Sequence, residues 1–132
     1  MPGTKLAGGP TQDEIMAVSL SKLGLHNTDI VLEIGCGTGK VTIAAARQAK
    51  TIFSLDKRPE AIAIARESAH KVQISNIEFY CTDAVEFLES EKIFDCAFVG
   101  GTQQLGRVLP LLAKKVRRTI VINAVLLSTL AQ

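Results

Sequence analysis

A chain of 132 residues, 47% hydrophobic and 5% aromatic, has the size and apolar content of one domain able to bury a layered core. A formal net charge of +2 is too small to argue for nucleic acid, and no apolar run approaches the ~20 residues that would cross a bilayer. The three cysteines, Cys36, Cys81 and Cys96, are odd in number and lie in or beside apolar segments. That usage excludes a disulfide framework and paired zinc ligands and fits a reducing, cytoplasmic setting.

Met1 to Pro10, rich in glycine and proline, reads as an arm without a signal-peptide pattern. Thr11 with Glu14 three residues later forms a capping box. A helix is expected over Asp13–Leu23, with Ile15, Val18 and Leu23 facing a sheet. Ile30–Ile34 is a first strand, followed by a helix from Thr38 or Gly39 to Gln48, and Thr51–Leu55 is a second strand. Pro59 opens a helix running from Glu60 to about Lys71, with Ile62, Ala65 and Ala69 along one face. Ile77–Cys81 is a third strand and leads to a short helix carrying Val85, Phe87 and Leu88. Phe94–Val99, a helix over Leu105–Val116 and a last strand over Thr119–Val125 complete the order. Near-continuous apolar strands alternating with helices predict an α/β fold, a Rossmann-like, doubly wound, mostly parallel sheet in a single domain spanning residues 1–132. Ligands bind such sheets at the carboxyl ends of the strands.

The stretch Glu33-Ile34-Gly35-Cys36-Gly37-Thr38-Gly39 stands at one of those ends. Three alternate glycines let the backbone turn sharply and approach a ligand closely. A P-loop is excluded: Ile34 stands where its first glycine belongs, and Val41 follows Lys40 in place of Ser or Thr. A dinucleotide turn needs its last glycine where Lys40 stands. The Glu-x-Gly-x-Gly-x-Gly form instead resembles motif I of S-adenosylmethionine (SAM)-dependent methyltransferases. Chemistry agrees, because SAM carries an ammonium and a sulfonium but no pyrophosphate, so Glu33 helps rather than repels. A nicotinamide or flavin nucleotide and a purely structural turn are the competing readings.

Asp56 ends the second strand, 21 residues after Gly35. Its carboxylate can accept both hydroxyls of a ribose, each bond worth roughly 1.5–3 kcal/mol. After the third strand, Asp83 can accept from an adenine amine and the Ala84 amide can donate to a ring nitrogen. The bland alternatives are an N-cap for Asp83, a solvated loop acid for Asp56 and a loop-amide cap for Glu33. After the fourth strand comes Val99-Gly100-Gly101-Thr102. No Asn/Asp-Pro-Pro-Tyr/Phe motif is present there, which weighs against methylation of base amines. The two glycines leave room for a bulky planar substrate or a close backbone approach.

With these residues in view, the chain resembles the precorrin-6Y / cobalt-precorrin C15-methyltransferases (decarboxylating) of cobalamin biosynthesis. The resemblance is carried by Gly9-Pro10-Thr11 with Glu14-Ile15, by Ala17 to Leu23, by Glu33 to Thr42 and by Asp56-Lys57-Arg58-Pro59-Glu60-Ala61. Phe98 to Thr102 and the tail Asn123-Ala124-Val125-Leu126-Leu127 extend it. It implies the class I methyltransferase fold and transfer of a methyl group from SAM to a tetrapyrrole ring carbon, with loss of an acetate carboxyl as CO2. It also implies a homo-oligomer, a tetramer, with no nucleic-acid or membrane partner. The cofactor contacts expected are Thr11, Glu33, Gly35, Cys36, Gly37, Thr38 and Gly39 around the turn, with Asp56, Lys57, Asp83, Ala84 and Gly100 beyond it. No metal ligand and no catalytic base are assigned.

His26 before the first strand and His70 at a helix end read as structural. The cluster Lys114-Lys115-Val116-Arg117-Arg118 reads as a solvated helix end, far from the cofactor. Lys57 and Arg58 are better placed to attract a carboxylate-rich tetrapyrrole. The resemblance implies that the family fold continues past the last strand with a helix and a pair of strands, which are not expected within these 132 residues. A SAM-binding subunit dependent on a partner chain, or a class I methyltransferase for another substrate, are therefore the alternatives.

Overall fold

The computed structural model describes residues 13–101 and 104–123. In chain order the elements are α1 (Asp13–Leu23), β1 (Ile30–Ile34), α2 (Lys40–Ala46), β2 (Thr51–Asp56) and α3 (Pro59–Lys71). They continue with β3 (Ile77–Cys81), α4 (Ala84–Leu88), β4 (Phe94–Val99), α5 (Leu105–Lys115) and β5 (Val116–Ile122). The five strands form one sheet in the order β3-β2-β1-β4-β5, and every neighbouring pair is parallel. The expected doubly wound α/β architecture is therefore present.

Strand alternation sorts the core into two layers. Leu32, Phe53, Leu55, Ala97 and Val99 pack with Ala84 and Leu88 of α4 and Val108 and Leu112 of α5. On the opposite face, Val31, Ile52, Cys96 and Phe98 pack with Leu23 of α1 and Val41, Ala45 and Ala46 of α2. Ala61, Ile62 and Ala65 of α3 close over Cys36. Fully burying an aliphatic or aromatic side chain of this kind stabilises the fold by roughly 1.5–3 kcal/mol. The two faces of β1 and β2 are thus covered by different helices, which is what their near-continuous apolar sequence requires.

Three expectations need correction. Val18 does not face the sheet: it is 58% exposed, while Leu23 is buried and Met16 and Leu20 pack against the core. Positions 16, 19, 20 and 23 make one helical stripe, and Val18 falls outside it. The helix after β1 ends at Ala46 rather than Gln48. The Gln48 amide bonds the Ala45 carbonyl, and Lys50 already donates to Asp29. Asn76 caps that end, its side-chain amide donating to the carbonyls of Ala46, Ala49 and Lys50 at 2.8, 3.1 and 3.1 Å.

The last strand starts three residues early, at Val116, because the chain pairs with Phe94 directly on leaving α5. Its expected end at Val125 lies outside the described residues. The basic cluster is accordingly split between helix and strand, and Arg118, although its side chain is 38% exposed, is engaged in an ion pair. Its guanidinium forks onto Asp29 at 3.1 and 2.5 Å and also donates to the Gly24 carbonyl at 3.1 Å. Asp29 is 3% exposed. The Arg118 hydrogen bonds hold its carboxyl below the usual range despite that burial. This pair ties β5 to the loop entering β1 at the amino end of the sheet.

Candidate functional site at the carboxyl edge of the sheet

Strand order reverses between β1 and β4, so the chain leaves these strands in opposite lateral directions and opens a crevice there. Backbone bonds fix its walls. The Gly35 amide donates to Leu55 at 2.8 Å, and the Gly100 amide donates to Ile34 at 2.8 Å. The glycine turn, the end of β2 and the loop after β4 therefore meet at one place, as expected from sequence.

The glycines of the turn do different jobs. Gly37 has φ +54°, and a Cβ there would meet nothing within 4 Å, so its face is open to a ligand. Gly39 has φ +90°, and a Cβ would stand 2.9 Å from Ala65 Cα and 3.0 Å from Ala65 Cβ. The need for glycine at 39 comes from the close crossing of α2 and α3 rather than from a ligand. Gly100 is similar: a Cβ would lie 2.9 Å from the Gly35 carbonyl oxygen. Of the pair after β4, close backbone approach explains Gly100, whereas Gly101 borders open space.

Glu33 lies beneath the turn, 3% exposed, on the sheet face that α2 covers. Its register partner on β2 is Ser54, whose hydroxyl donates to Glu33 Oε1 at 2.7 Å; the Thr42 hydroxyl of α2 donates to the same oxygen. Glu33 thus couples β1, β2 and α2 and does not cap a loop amide in the way its bland reading supposed. Burial pushes its pKa up to about 7, with the hydroxyl bonds working the other way and the Asp56 charge adding to the rise. Sequence reasoning missed Thr42 and Ser54. The available signal was Ser54, a polar residue inside a buried strand.

Asp56 is not the solvated acid of its bland reading, since it is 7% exposed. The Arg58 main-chain amide and Nε donate to Oδ1 at 3.0 and 3.0 Å, and an Arg58 guanidinium nitrogen donates to Oδ2 at 3.1 Å. Burial works to raise the Asp56 pKa, but Arg58 holds the carboxyl below its usual range. Cys36, 3% exposed, points its Sγ at Asp56 Oδ2 from 3.8 Å. Burial, with the charges of Glu33 and Asp56, pushes that thiol up to about 12, so it stays protonated. Thr38 is half-buried within the turn.

At the end of β3, Asp83 caps α4, Oδ1 accepting from the Val85 and Glu86 amides at 2.8 and 3.3 Å. The Glu86 amide is the main reason its carboxyl is held low. Lys57 reaches the other oxygen of Asp83 at 3.7 Å, linking the ends of β2 and β3. Ala84 is buried as the first residue of α4. Lys40 pairs with Asp13, tying the start of α1 to the start of α2 beside the turn. Thr11 and Thr102 lie outside the described residues.

His26 stays at the amino end, where its amide donates to Asp29 at 2.8 Å, and His70 is in the last turn of α3. Among the described residues no group of three or more His, Cys, Asp or Glu could hold a metal ion. No helix among them is long and apolar enough to cross a membrane. Two grooves lie outside the turn, one along α3 beside Cys81 and one between α1 and the end of β5; neither includes Gly37 or Asp56.

The donor set discriminates between cofactor types. An open glycine at the turn, a carboxylate at the tip of β2 and a buried acid beneath suit a cationic ligand that carries a diol. The glycine spacing, rather than Asp56, which dinucleotide sites also use to hold a ribose, sets this turn apart from a pyrophosphate loop.

A family model described as a methyltransferase domain matches residues 25–130. The chain is 45% identical over 132 aligned residues to a probable cobalt-precorrin-6B C(15)-methyltransferase (decarboxylating) of Methanosarcina mazei, covering 96% of this chain and 72% of that one. The crystal structure of precorrin-8W decarboxylase from Methanobacterium thermoautotrophicum superposes with a TM-score of 0.88 at 28% identity, over 96% of this chain and 72% of that chain. Precorrin-6y C5,15-methyltransferase from Geobacter metallireducens gives 0.84 at 30% identity, over 92% and 68%.

Proposed function

The chain belongs to the family of cobalt-precorrin-6B C(15)-methyltransferases (decarboxylating), and from that premise we propose that it methylates C15 of cobalt-precorrin-6B with loss of an acetate carboxyl as CO2. The methyl donor is SAM. The observation that supports this reading best is the meeting of an open Gly37, the Asp56 carboxylate and the open side of Gly101 at one crevice.

When bound, SAM supplies an electrophilic methyl group on a sulfonium. The residues of this chain hold and align. Asp56 accepts the ribose hydroxyls, Asp83 and the Ala84 amide take the adenine edge, and the Gly35–Gly39 turn accommodates the methionine part. Glu33 positions the turn from below through Thr42 and Ser54. Gly101 leaves space on the far side for a flat macrocycle. Methyl transfer needs a nucleophile and a methyl group in line more than it needs a strong base, and holding two partners can supply several kcal/mol of a barrier, of the order of 7 or more in favourable cases. An electron-rich tetrapyrrole carbon provides its own nucleophile, so no general base is assigned. Lys57, exposed at the same edge, attracts the carboxylates of the substrate. The working form is a homo-oligomer, a tetramer, in the cytoplasm.

Calorimetric titration with SAM, with NAD⁺ as control, tests the cofactor. Saturable SAM binding that is lost in Asp56→Ala and absent for NAD⁺ is expected, and no SAM binding by the wild type overturns the reading. Incubation with SAM and either cobalt-precorrin-6B or the metal-free macrocycle, followed by mass spectrometry, should show a gain of one methyl group and loss of one CO2.

A further inference from the structure

We propose that Arg58 is an exchangeable ligand of the crevice: it occupies Asp56 before SAM binds and afterwards offers its guanidinium to a carboxylate of the substrate. The inference rests on the SAM reading above and assigns a positioning and substrate-binding role to Arg58.

The hydrogen bonds on Asp56 carry it. Oδ1 accepts from the Arg58 amide at 3.0 Å and from Nε at 3.0 Å, while Oδ2 accepts from the guanidinium at 3.1 Å and faces the Cys36 thiol at 3.8 Å. A carboxylate offers about four acceptor positions, and these donors, with the Gly37 amide that also bonds the Asp56 carboxylate, use them all. A vicinal diol needs one position on each oxygen, and the guanidinium fork is the group that holds one on each. The amide is fixed by the backbone entering α3, and the thiol is buried beneath α3. The guanidinium is the partner able to leave: the Arg58 side chain is 35% exposed, against 5% for that of Asp56.

Arg58 therefore has to withdraw from Asp56 before a ribose can be held there. On withdrawing it joins Lys57, 52% exposed on the same loop, as a second cation at the carboxyl edge. A guanidinium fork matches a carboxylate in two parallel hydrogen bonds, which an ammonium cannot do. A residue released by one ligand and used by the other makes their binding mutually favourable, by thermodynamic linkage.

The test compares wild type, Arg58→Met and Arg58→Lys in calorimetric titrations with S-adenosylhomocysteine and its 2′-deoxy analogue, together with KM for cobalt-precorrin-6B. Met keeps the aliphatic stem and removes the competitor; Lys keeps charge without the fork and carries the comparison if the Met variant does not fold. The expected result is binding of S-adenosylhomocysteine tighter by about tenfold in Arg58→Met. That gain should shrink for the 2′-deoxy analogue, while KM for the macrocycle rises. Wild-type binding that Arg58→Met leaves equal or weaker overturns the exchange but not the SAM reading, and so does an unchanged KM. Failure of the wild type to bind S-adenosylhomocysteine overturns both.

Discussion

Gly39 and Ala65 approach so closely that a Cβ on the glycine would stand 2.9 Å from the alanine Cα. This contact sets the distance between α2 and α3, and hence where the turn sits over the tip of β2. Gly39→Ala adds backbone strain at φ +90° to a steric clash, and a loss of about 2–4 kcal/mol is expected in urea unfolding. Gly37→Ala meets no atom within 4 Å and should cost only about 1 kcal/mol. Its effect should show instead as a loss of SAM affinity in calorimetry. Equal stability losses at both positions would contradict this division of labour.

Glu33 makes stability fall with rising pH. Its folded pKa, raised to about 7 chiefly by burial, lies above its ordinary value of 4.5. Below pH 4.5 both states are protonated and the group contributes nothing. Between 4.5 and 7 the unfolded state loses the proton that the folded state keeps, so unfolding becomes easier, and above 7 the penalty levels off at about 3 kcal/mol. Glu33→Gln retains an acceptor for Thr42 and Ser54 and removes the ionisation. Urea unfolding across pH 5 to 8 should show a flatter profile for this variant, with its stability meeting or exceeding that of the wild type at pH 8. A parallel decline in both proteins would assign the pH dependence to other groups.

Removing Arg118 strands a carboxylate. Arg118→Met leaves Asp29, 3% exposed, without the fork that holds its charge. Breaking a fully buried pair costs roughly 3–5 kcal/mol. Because the Arg118 side chain is 38% exposed, about 2 kcal/mol is expected here. The sign with pH is opposite to that of Glu33. The depressed Asp29 pKa contributes stability above the ordinary carboxylate range and loses it as pH falls through the folded value. The gap between wild type and variant in urea unfolding should therefore close at low pH.

Gly100 and Gly101 should separate structure from substrate. Gly100→Ala places a Cβ 2.9 Å from the Gly35 carbonyl oxygen, pushing the two walls of the crevice apart. Weaker SAM binding and a stability loss of about 1–3 kcal/mol are expected together. Gly101→Ala meets nothing within 4 Å, so stability and SAM affinity should be unchanged while KM for the macrocycle rises. Calorimetry and steady-state kinetics on the two variants decide whether the space beside Gly101 receives the substrate.

The order of strands and helices, the glycine turn after β1 and the acid at the tip of β2 were legible in the sequence because each is a local pattern. An apolar run of five or six residues, a proline opening a helix and alternating glycines need no distant partner to be recognised. What the tertiary structure decided depends on register and on helix rotation. Glu33 faces Ser54 because β1 and β2 pair in that register, and Thr42 meets them only because α2 crosses that face. Arg118 finds Asp29 across 89 positions because β5 begins at Val116, a boundary set by pairing with Phe94 rather than by the local apolar pattern. Val18 falls on the exposed side of α1 because a short amphipathic helix tolerates more than one rotation until the sheet fixes it. The hold of Arg58 on Asp56 spans two residues, yet composition alone could not disclose it. It arises because burial leaves that carboxylate in need of a charged partner, and the half-buried arginine at the start of α3 is within reach.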